Sequence, residues 1–385
     1  MISFLFLIKI FLFVCFGLVF LCYFILMLRL CNSWLKMPAG CDVTQTPKVH
    51  ISVIVPVRNE AALLSSCLES IIHQNYPPDL FEIIVIDDDS TDGTVSLVEK
   101  IIHQHPGISI RLLTLERDSS LGAHKKRSIS KGIDASEGEL IVTTDGDCVQ
   151  GTGWLRCIAS CSEKYTPSLI IGPVAFHQEK GFFGRMQTLE FAGLMAATGA
   201  SAGLGTTLMC NGANLAYPKK IFEEVGGFTD DTLASGDDVM LMEKIRIIYP
   251  HNIHFLKSPQ ALVYTPPQES PLDFLNQRKR WASKFRHYGS GKIGGTALLV
   301  YCCNLLLILG TPICFIIRDF MWVYLILAGG KLIIDFLFLF LAISFTNRRT
   351  LAWLYPIEWI IYPYYVVLSG FLGVASRYEW KGRKI

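Results

Sequence analysis

The sequence predicts an α/β domain built on a mostly parallel sheet and set between flanking transmembrane helices. Three observations predict it: strand-like apolar runs alternate with helical segments in the middle of the chain, charge is concentrated there, and both ends are long and apolar. Of the 385 residues, 51% are hydrophobic and only 18% charged. Soluble domains carry about 25% charged residues, so part of this chain belongs in lipid. Five charged side chains fall in residues 1–48 and twelve in residues 293–385, which leaves 51 of the 68 in the 244 residues between. That middle holds 23 basic against 28 acidic residues, the wrong balance for a nucleic-acid binder.

No residue from 10 to 28 is charged, and a helix of that length at ~1.5 Å per residue just spans a ~30 Å hydrocarbon core. Residues 1–30 therefore read as a transmembrane helix and 31–48 as a linker. A secretory signal peptide is the competing reading, but the apolar stretch is too long and Cys31-Asn32-Ser33 is a poor cleavage site. Arg29, Lys36 and Lys48 follow the helix. The positive-inside rule then puts the middle domain in the cytoplasm and the chain in an inner or plasma membrane.

The chain turns apolar again over residues 293–317, 320–345 and 353–374, about three further segments in a C-terminal membrane region, 293–376. A basic tail, 377–385, carries Arg377, Lys381, Arg383 and Lys384. Lys331 and Asp335 stand four apart and are expected to neutralise each other inside a bundle. Pro356, Glu358 and Pro363 mark the last segment as kinked or interfacial. Of twelve cysteines, Cys15, Cys22, Cys302, Cys303 and Cys314 fall in membrane segments, and Cys157 and Cys161 are not a CxxC pair. A reduced domain with buried thiols is the expectation.

Within the middle, apolar β-branched runs at 51–55, 81–86, 110–115 and 140–144 alternate with helical segments at 59–73, at 93–103 and up to 135. Such alternation means βαβ units and a parallel sheet. Ligands bind such sheets outside the carboxyl ends of the strands. Three of those ends carry polar sequences: Pro56-Val57-Arg58-Asn59-Glu60, the acidic run from Asp87 to Asp92, and Asp145-Gly146-Asp147. Carboxylates converging there are costly unless a cation or a ligand's donors meet them.

Asp145 and Asp147 suit a divalent cation, which takes oxygen ligands, although an acidic turn would look alike. Asp87, Asp88 and Asp89 exceed what N-capping of the next helix needs, and a strand-end carboxylate can accept from a base or a ribose hydroxyl. Asp237 and Asp238, after Gly236, either cap a helix or place a general base. Gln277 to Trp281 lie in a basic, aromatic segment, 271–290, that reads as an interfacial helix.

In this order, these elements resemble the family 2 inverting glycosyltransferases of GT-A, Rossmann-like fold, in particular the membrane-bound branch with cellulose, chitin, hyaluronan and poly-N-acetylglucosamine synthases. The resemblance implies a catalytic domain over 49–270 and a nucleotide-diphosphate sugar donor, most often UDP-linked, bound near Glu60, Asp87 and Asp88. It implies Mg²⁺ or Mn²⁺ held chiefly by Asp147 with Asp145, and Asp238 as the base of an inverting displacement that yields a β-linkage. Gln277, Arg280 and Trp281 match the QxxRW element at the donor pyrophosphate and acceptor site. Asn211 and Gly212 match an acceptor-side loop, joined by Asp237, and Lys126 matches a lysine near the donor. Two departures stand out: Asp89 replaces a usual glycine, and Gly236-Asp237 replaces Thr-Glu. The implied acceptor is a polysaccharide or, as in ceramide-type enzymes, a membrane lipid, with accessory export subunits left open. A non-catalytic scaffold is a third reading, opposed by the presence of Asp147, Asp238 and Trp281.

Overall fold

The computed structural model describes residues 2–115, 124–228, 236–284, 291–375, 379–380 and 383–384. It divides into an α/β unit, Met37–Glu179 with Ala197–Pro267, and a helical unit, Met1–Lys36 with Lys180–Ala196 and Gln268–Ile385.

The α/β unit carries β1 (Ile51–Val57), β2 (Phe81–Asp88), β3 (Ser109–Leu115), β4 (Leu140–Thr143), β5 (Val149–Gln150), β6 (Leu169–Ile171), β7 (Val174–Phe176), β8 (Leu215–Pro218), β9 (Ile253–Phe255) and β10 (Val263–Thr265). Seven of them form one sheet in the order β3-β2-β1-β4-β8-β6-β9. β3, β2, β1 and β4 run parallel, while β8 is antiparallel to both β4 and β6. A smaller sheet has the order β5-β10-β7. All eight residues of β2 are buried, as an apolar central strand covered on both faces must be.

Helices cover the sheet with one apolar face. In Leu64–Ile72 the buried residues are Leu64, Cys67, Leu68, Ile71 and Ile72, the i, i+3, i+4, i+7, i+8 spacing of a helix packed on one side. Each buried leucine or isoleucine contributes about 2 kcal/mol over its exposed state. This helix starts later than its sequence suggests, because the Leu63 and Leu64 amides first turn back onto the Glu60 carbonyl.

At the amino end of the sheet, the Glu82 carboxylate is fully engaged. It accepts from Ser52 Oγ at 2.5 Å, from the Glu137 amide at 2.6 Å and from Arg111. Burial pushes this carboxyl upward, but those donors outweigh it and hold it below the usual range.

Two expectations need correction. β5 to β10 were not legible, since strands of two to four residues are too short to show a period. The thiols are not all reduced either: Cys41 and Cys157 form a disulfide with Cα atoms 5.3 Å apart. They are separated by 116 residues, so no local spacing announced the pair. Cys67, Cys148 and Cys161 are free thiols in this unit.

The helical unit contains Ile2–Lys36, the first part of Gly181–Gly203, Pro271–Lys284, Gly291–Ile316, Phe320–Phe345 and Tyr355–Ala375. Among the described residues three segments are long and apolar enough to cross a membrane: Lys9–Lys36, Gly294–Ile316 and Phe320–Phe345. The fourth expected segment is not among them. Tyr355–Ala375 is a helix with Pro363 inside it and the buried carboxylate Glu358, which lower its apolar character. Phe16 packs edge-on against Phe320, ring centroids 4.8 Å apart. Lys331 and Asp335 form the expected ion pair, and Tyr23 Oη donates to Asp335 Oδ1 at 2.7 Å. Residues 285–290 of the interfacial segment, and Arg377 and Lys381 of the tail, lie outside the described residues.

Candidate active site

The carboxyl ends of β1, β2 and β4 deliver the acidic residues to one edge of the sheet. β1 pairs with β2 and with β4 in register, Val57 opposite Asp87 and Ile54 opposite Thr143. Beyond β4, a Cβ on Gly146 would meet Val57 Cγ1 at 2.9 Å and Glu60 Cγ at 3.4 Å. Only glycine allows the strand ends to approach so closely.

Capping of helix Thr94–Gln104 falls to Asp92, whose Oδ1 accepts from the Thr94 amide at 3.0 Å. The acids before it have other surroundings. Asp87 Oδ2 accepts from the Ser90 amide at 3.1 Å, whereas its Oδ1 is buried with no hydrogen-bond partner. Arg58 Nη1 donates to the Asp88 carbonyl at 2.9 Å, and His124 Nδ1 stands 3.4 Å from Asp88 Oδ1. Asp89 has φ +59°, the left-handed region that favours glycine and that aspartate tolerates better than most residues. That conformation explains why glycine is usual at this position and how Asp89 can stand there.

Asp145, Asp147 and Cys148 offer ligand atoms within 4.8 Å of one another. Burial, reinforced by Asp147 and Asp145, pushes the Cys148 thiol well up, so it stays protonated. The two carboxylates are thus the hard oxygen donors that Mg²⁺ or Mn²⁺ prefers. Lys125 Nζ lies 2.6 Å from Asp145 Oδ1 and 3.9 Å from Asp237 Oδ2. Burial alone would favour the neutral amine, but Asp145 and Asp237, with Asp238 beyond, override it and keep the ammonium charged well above the usual lysine range. The carboxylates thus already draw one cation.

Gly236, with φ +97°, turns the chain into helix Asp237–Ile248. Asp238 Oδ1 accepts from the Val239 amide at 2.8 Å, and Oδ2 from the Gly212 amide at 3.3 Å. The Gly212 carbonyl in turn accepts from Thr143 Oγ1 at 2.9 Å. Asn211 Oδ1 caps the short turn Gly212–Asn214 by accepting from the Ala213 amide at 3.0 Å.

The structure therefore brings together Asp145, Asp237, Asp238 and Gly212, with Lys125 bridging two of the acids. The two adjacent lysines differ in where they reach. Lys126, singled out from the sequence, sends its Nζ to Met240 Sδ at 3.5 Å, and the neighbouring Lys125 reaches the acids. Gln277, Arg280 and Trp281 belong to the helical unit. There Gln277 Oε1 accepts from Arg278 Nη1 at 2.6 Å, and the Arg278 guanidinium lies over the Trp281 ring at 4.3 Å. Sequence reasoning passed over Arg278, which is buried in an ion pair with Glu190 at 2.5 Å.

A seven-stranded mixed sheet with acidic strand ends defines a GT-A-type transferase. The chain belongs to the glycosyltransferases of family 2: residues 140–371 match the model described as Glycosyl transferase family group 2, and residues 52–226 that of Glycosyl transferase family 2. Glycosyltransferase AglE of Haloferax volcanii is 27% identical over 187 residues, 49% of this chain and 58% of that protein. A beta-monoglucosyldiacylglycerol synthase of Synechocystis is 21% identical over 250 residues, 63% of this chain and 49% of that protein. The matched stretch thus spans about half the length of these relatives. The mannosyltransferase PcManGT from Pyrobaculum calidifontis, solved in complex with GDP-Man and Mn²⁺, shares the fold with a TM-score of 0.58 and 20% identity. The match covers 91% of this chain and 97% of that one.

Proposed function

We propose that the chain moves a sugar from a nucleotide-diphosphate sugar, UDP-linked, to a hydroxyl acceptor with inversion, forming a β-glycosidic bond in cell-surface polysaccharide synthesis. The proposal places it in an inner or plasma membrane with the catalytic domain, 49–270, in the cytoplasm, where the Cys41–Cys157 disulfide is an exception to the reduced state of cytosolic thiols. One observation carries the reading: Asp145 and the Asp237-Asp238 pair, about 90 residues apart in sequence, meet around Lys125 and the Gly212 backbone.

In this reading Asp238 accepts the proton of the acceptor hydroxyl as its oxygen attacks the anomeric carbon. The bond from that carbon to the phosphate oxygen breaks, and the nucleoside diphosphate leaves. Two main-chain amides orient the Asp238 carboxylate, which keeps it an acceptor. Glu60, Asp87 and Asp88 bind the nucleoside, and the unpartnered Asp87 Oδ1 suits a donor on the base or ribose. Asp147 and Asp145 would hold a divalent cation, Mg²⁺ or Mn²⁺, as their oxygen donors fit; when bound, it supplies Lewis-acid compensation for the charge of the leaving diphosphate. PcManGT, with Mn²⁺ and GDP-Man, supports a cation and a nucleotide sugar in this fold.

A second reading is single-sugar transfer to a membrane lipid. The likeness to the Synechocystis lipid synthase favours it. Product analysis tests both: membranes holding the protein are incubated with labelled UDP-glucose or UDP-N-acetylglucosamine and the products are sized. Polymeric, acid-hydrolysable label is expected from the synthase, and label found solely in the organic phase overturns it in favour of the lipid reading. Unchanged transfer after chelation overturns the cation assignment.

A further inference from the structure

Residues 41–49 are strapped along helix Trp154–Tyr165, both within the α/β unit. The Cys41–Cys157 disulfide ties one end of the strap. At the other, Glu163 Oε1 accepts from the Lys48 amide at 2.8 Å and from the Val49 amide at 3.3 Å. Between these ties Arg156 Nη2 donates to the Gln45 carbonyl at 3.3 Å. The helix turns Trp154, Leu155, Cys157, Ile158, Ala159 and Cys161 into the core. Arg156, Ser160, Glu163 and Lys164, at i, i+4, i+7 and i+8, form its other face, which the strap partly covers.

A cavity of about 350 Å³ lies between strap and helix, lined by those four side chains together with Asp42 and Gln45. That volume falls at the lower end of the range for small-ligand sites, about 300–1,000 Å³. The charges on its walls are unequally matched. Asp42 Oδ1 accepts from the Thr44 amide at 3.0 Å and from its hydroxyl at 2.6 Å, and Lys164 is within electrostatic reach of the same carboxylate. Glu163 is turned to the strap amides. Arg156 is the exception: among the described residues no carboxylate pairs with it, and its Nε is buried without a hydrogen-bond partner. A guanidinium stays charged at any working pH, and of its five N–H groups one is spent here, on the Gln45 carbonyl.

The missing partner is a single negative charge carried on oxygens that match a planar fork. A phosphodiester supplies it: two unesterified oxygens meet the guanidinium pairwise, and the tetrahedral centre leaves a further oxygen for the Ser160 hydroxyl. A carboxylate offers the serine no third oxygen. A phosphomonoester brings a second charge toward Asp42 and Glu163, which repel it. The strap begins five residues after Lys36, the end of a segment long enough to cross a membrane, so a lipid headgroup is one source of the diester and a soluble molecule the other.

We propose that this cavity binds a phosphodiester, held by Arg156 with Ser160, at a site that uses none of the residues placed in sugar transfer. The test uses full-length protein in detergent micelles with radiolabelled dioctanoyl phosphatidylglycerol. Three unlabelled competitors are added in turn: the same phospholipid, glycerophosphoglycerol, which is its head without chains, and dioctanoylglycerol, which is its chains without phosphate. Saturable binding is expected in the wild type. Arg156→Gln should weaken it at least about tenfold, and Arg156→Lys and Ser160→Ala about threefold each, in variants whose thermal unfolding remains cooperative. Competition by glycerophosphoglycerol at equal concentration assigns a soluble phosphodiester, and competition by the phospholipid alone assigns the lipid headgroup. Displacement by dioctanoylglycerol or an absence of saturable binding overturns the proposal. So does wild-type affinity in Arg156→Gln or, where that variant does not fold, in Ser160→Ala.

Discussion

In the α/β unit basic side chains meet the acids at the carboxyl edge of the sheet, Lys125 reaching Asp145 and Asp237 and Arg58 reaching Asp88, while one oxygen of Asp87 is left unmet. In the helical unit Arg278 and Lys331 are each locked to a carboxylate. A surplus of charge at a sheet edge is tolerable because water and ligands reach it. Inside an apolar bundle the same surplus is expensive, so pairing there is a condition of folding. Substitutions should therefore damage chemistry in one unit and stability in the other.

The largest effect expected is Asp238→Asn, which should lower transfer by about a thousandfold, on the order of 4 kcal/mol of barrier, with the unfolding midpoint unmoved. Near-normal turnover would remove Asp238 as base and blur the contrast. Arg278→Met should lower stability by about 3–5 kcal/mol, because it strands the Glu190 carboxylate in the bundle. Thermal unfolding in detergent measures it, and a loss below 1 kcal/mol would show the pair to be solvated. Reducing the Cys41–Cys157 disulfide, or Cys157→Ser, should cost the α/β unit about 2–4 kcal/mol, given the long loop it closes. Alkylation of the denatured chain should count two more reactive thiols after reduction, and an unchanged count would refute the bond. Asp89→Gly should shift stability by less than about 1 kcal/mol, since glycine enters the left-handed region freely. A larger loss would mean that the side chain, rather than the backbone angle, matters there.

The two units also differ in how much of them their sequences disclosed. β1, β2 and β4 were legible because each is a largely apolar run that leads into a polar stretch, and the family's motifs fall on those ends. Lys125 was not, because adjacent lysines at a helix start differ only in which way they point, and that depends on packing against Met240 and Asp145. Glu190 with Arg278, and Cys41 with Cys157, escaped for a related reason. Each pair joins residues 88 or 116 positions apart, and neither member has a local pattern.

Gly212 joins two parts of the site through main-chain atoms alone: its carbonyl is held by the strand that leads to Asp145 and Asp147, and its amide by Asp238. The separation between the acid pair and the proposed base is therefore set across the Gly212 backbone by the Thr143 and Asp238 side chains that hold it from either side. A lineage could exchange the surrounding loops, and with them the sugars accepted, without retuning that interval.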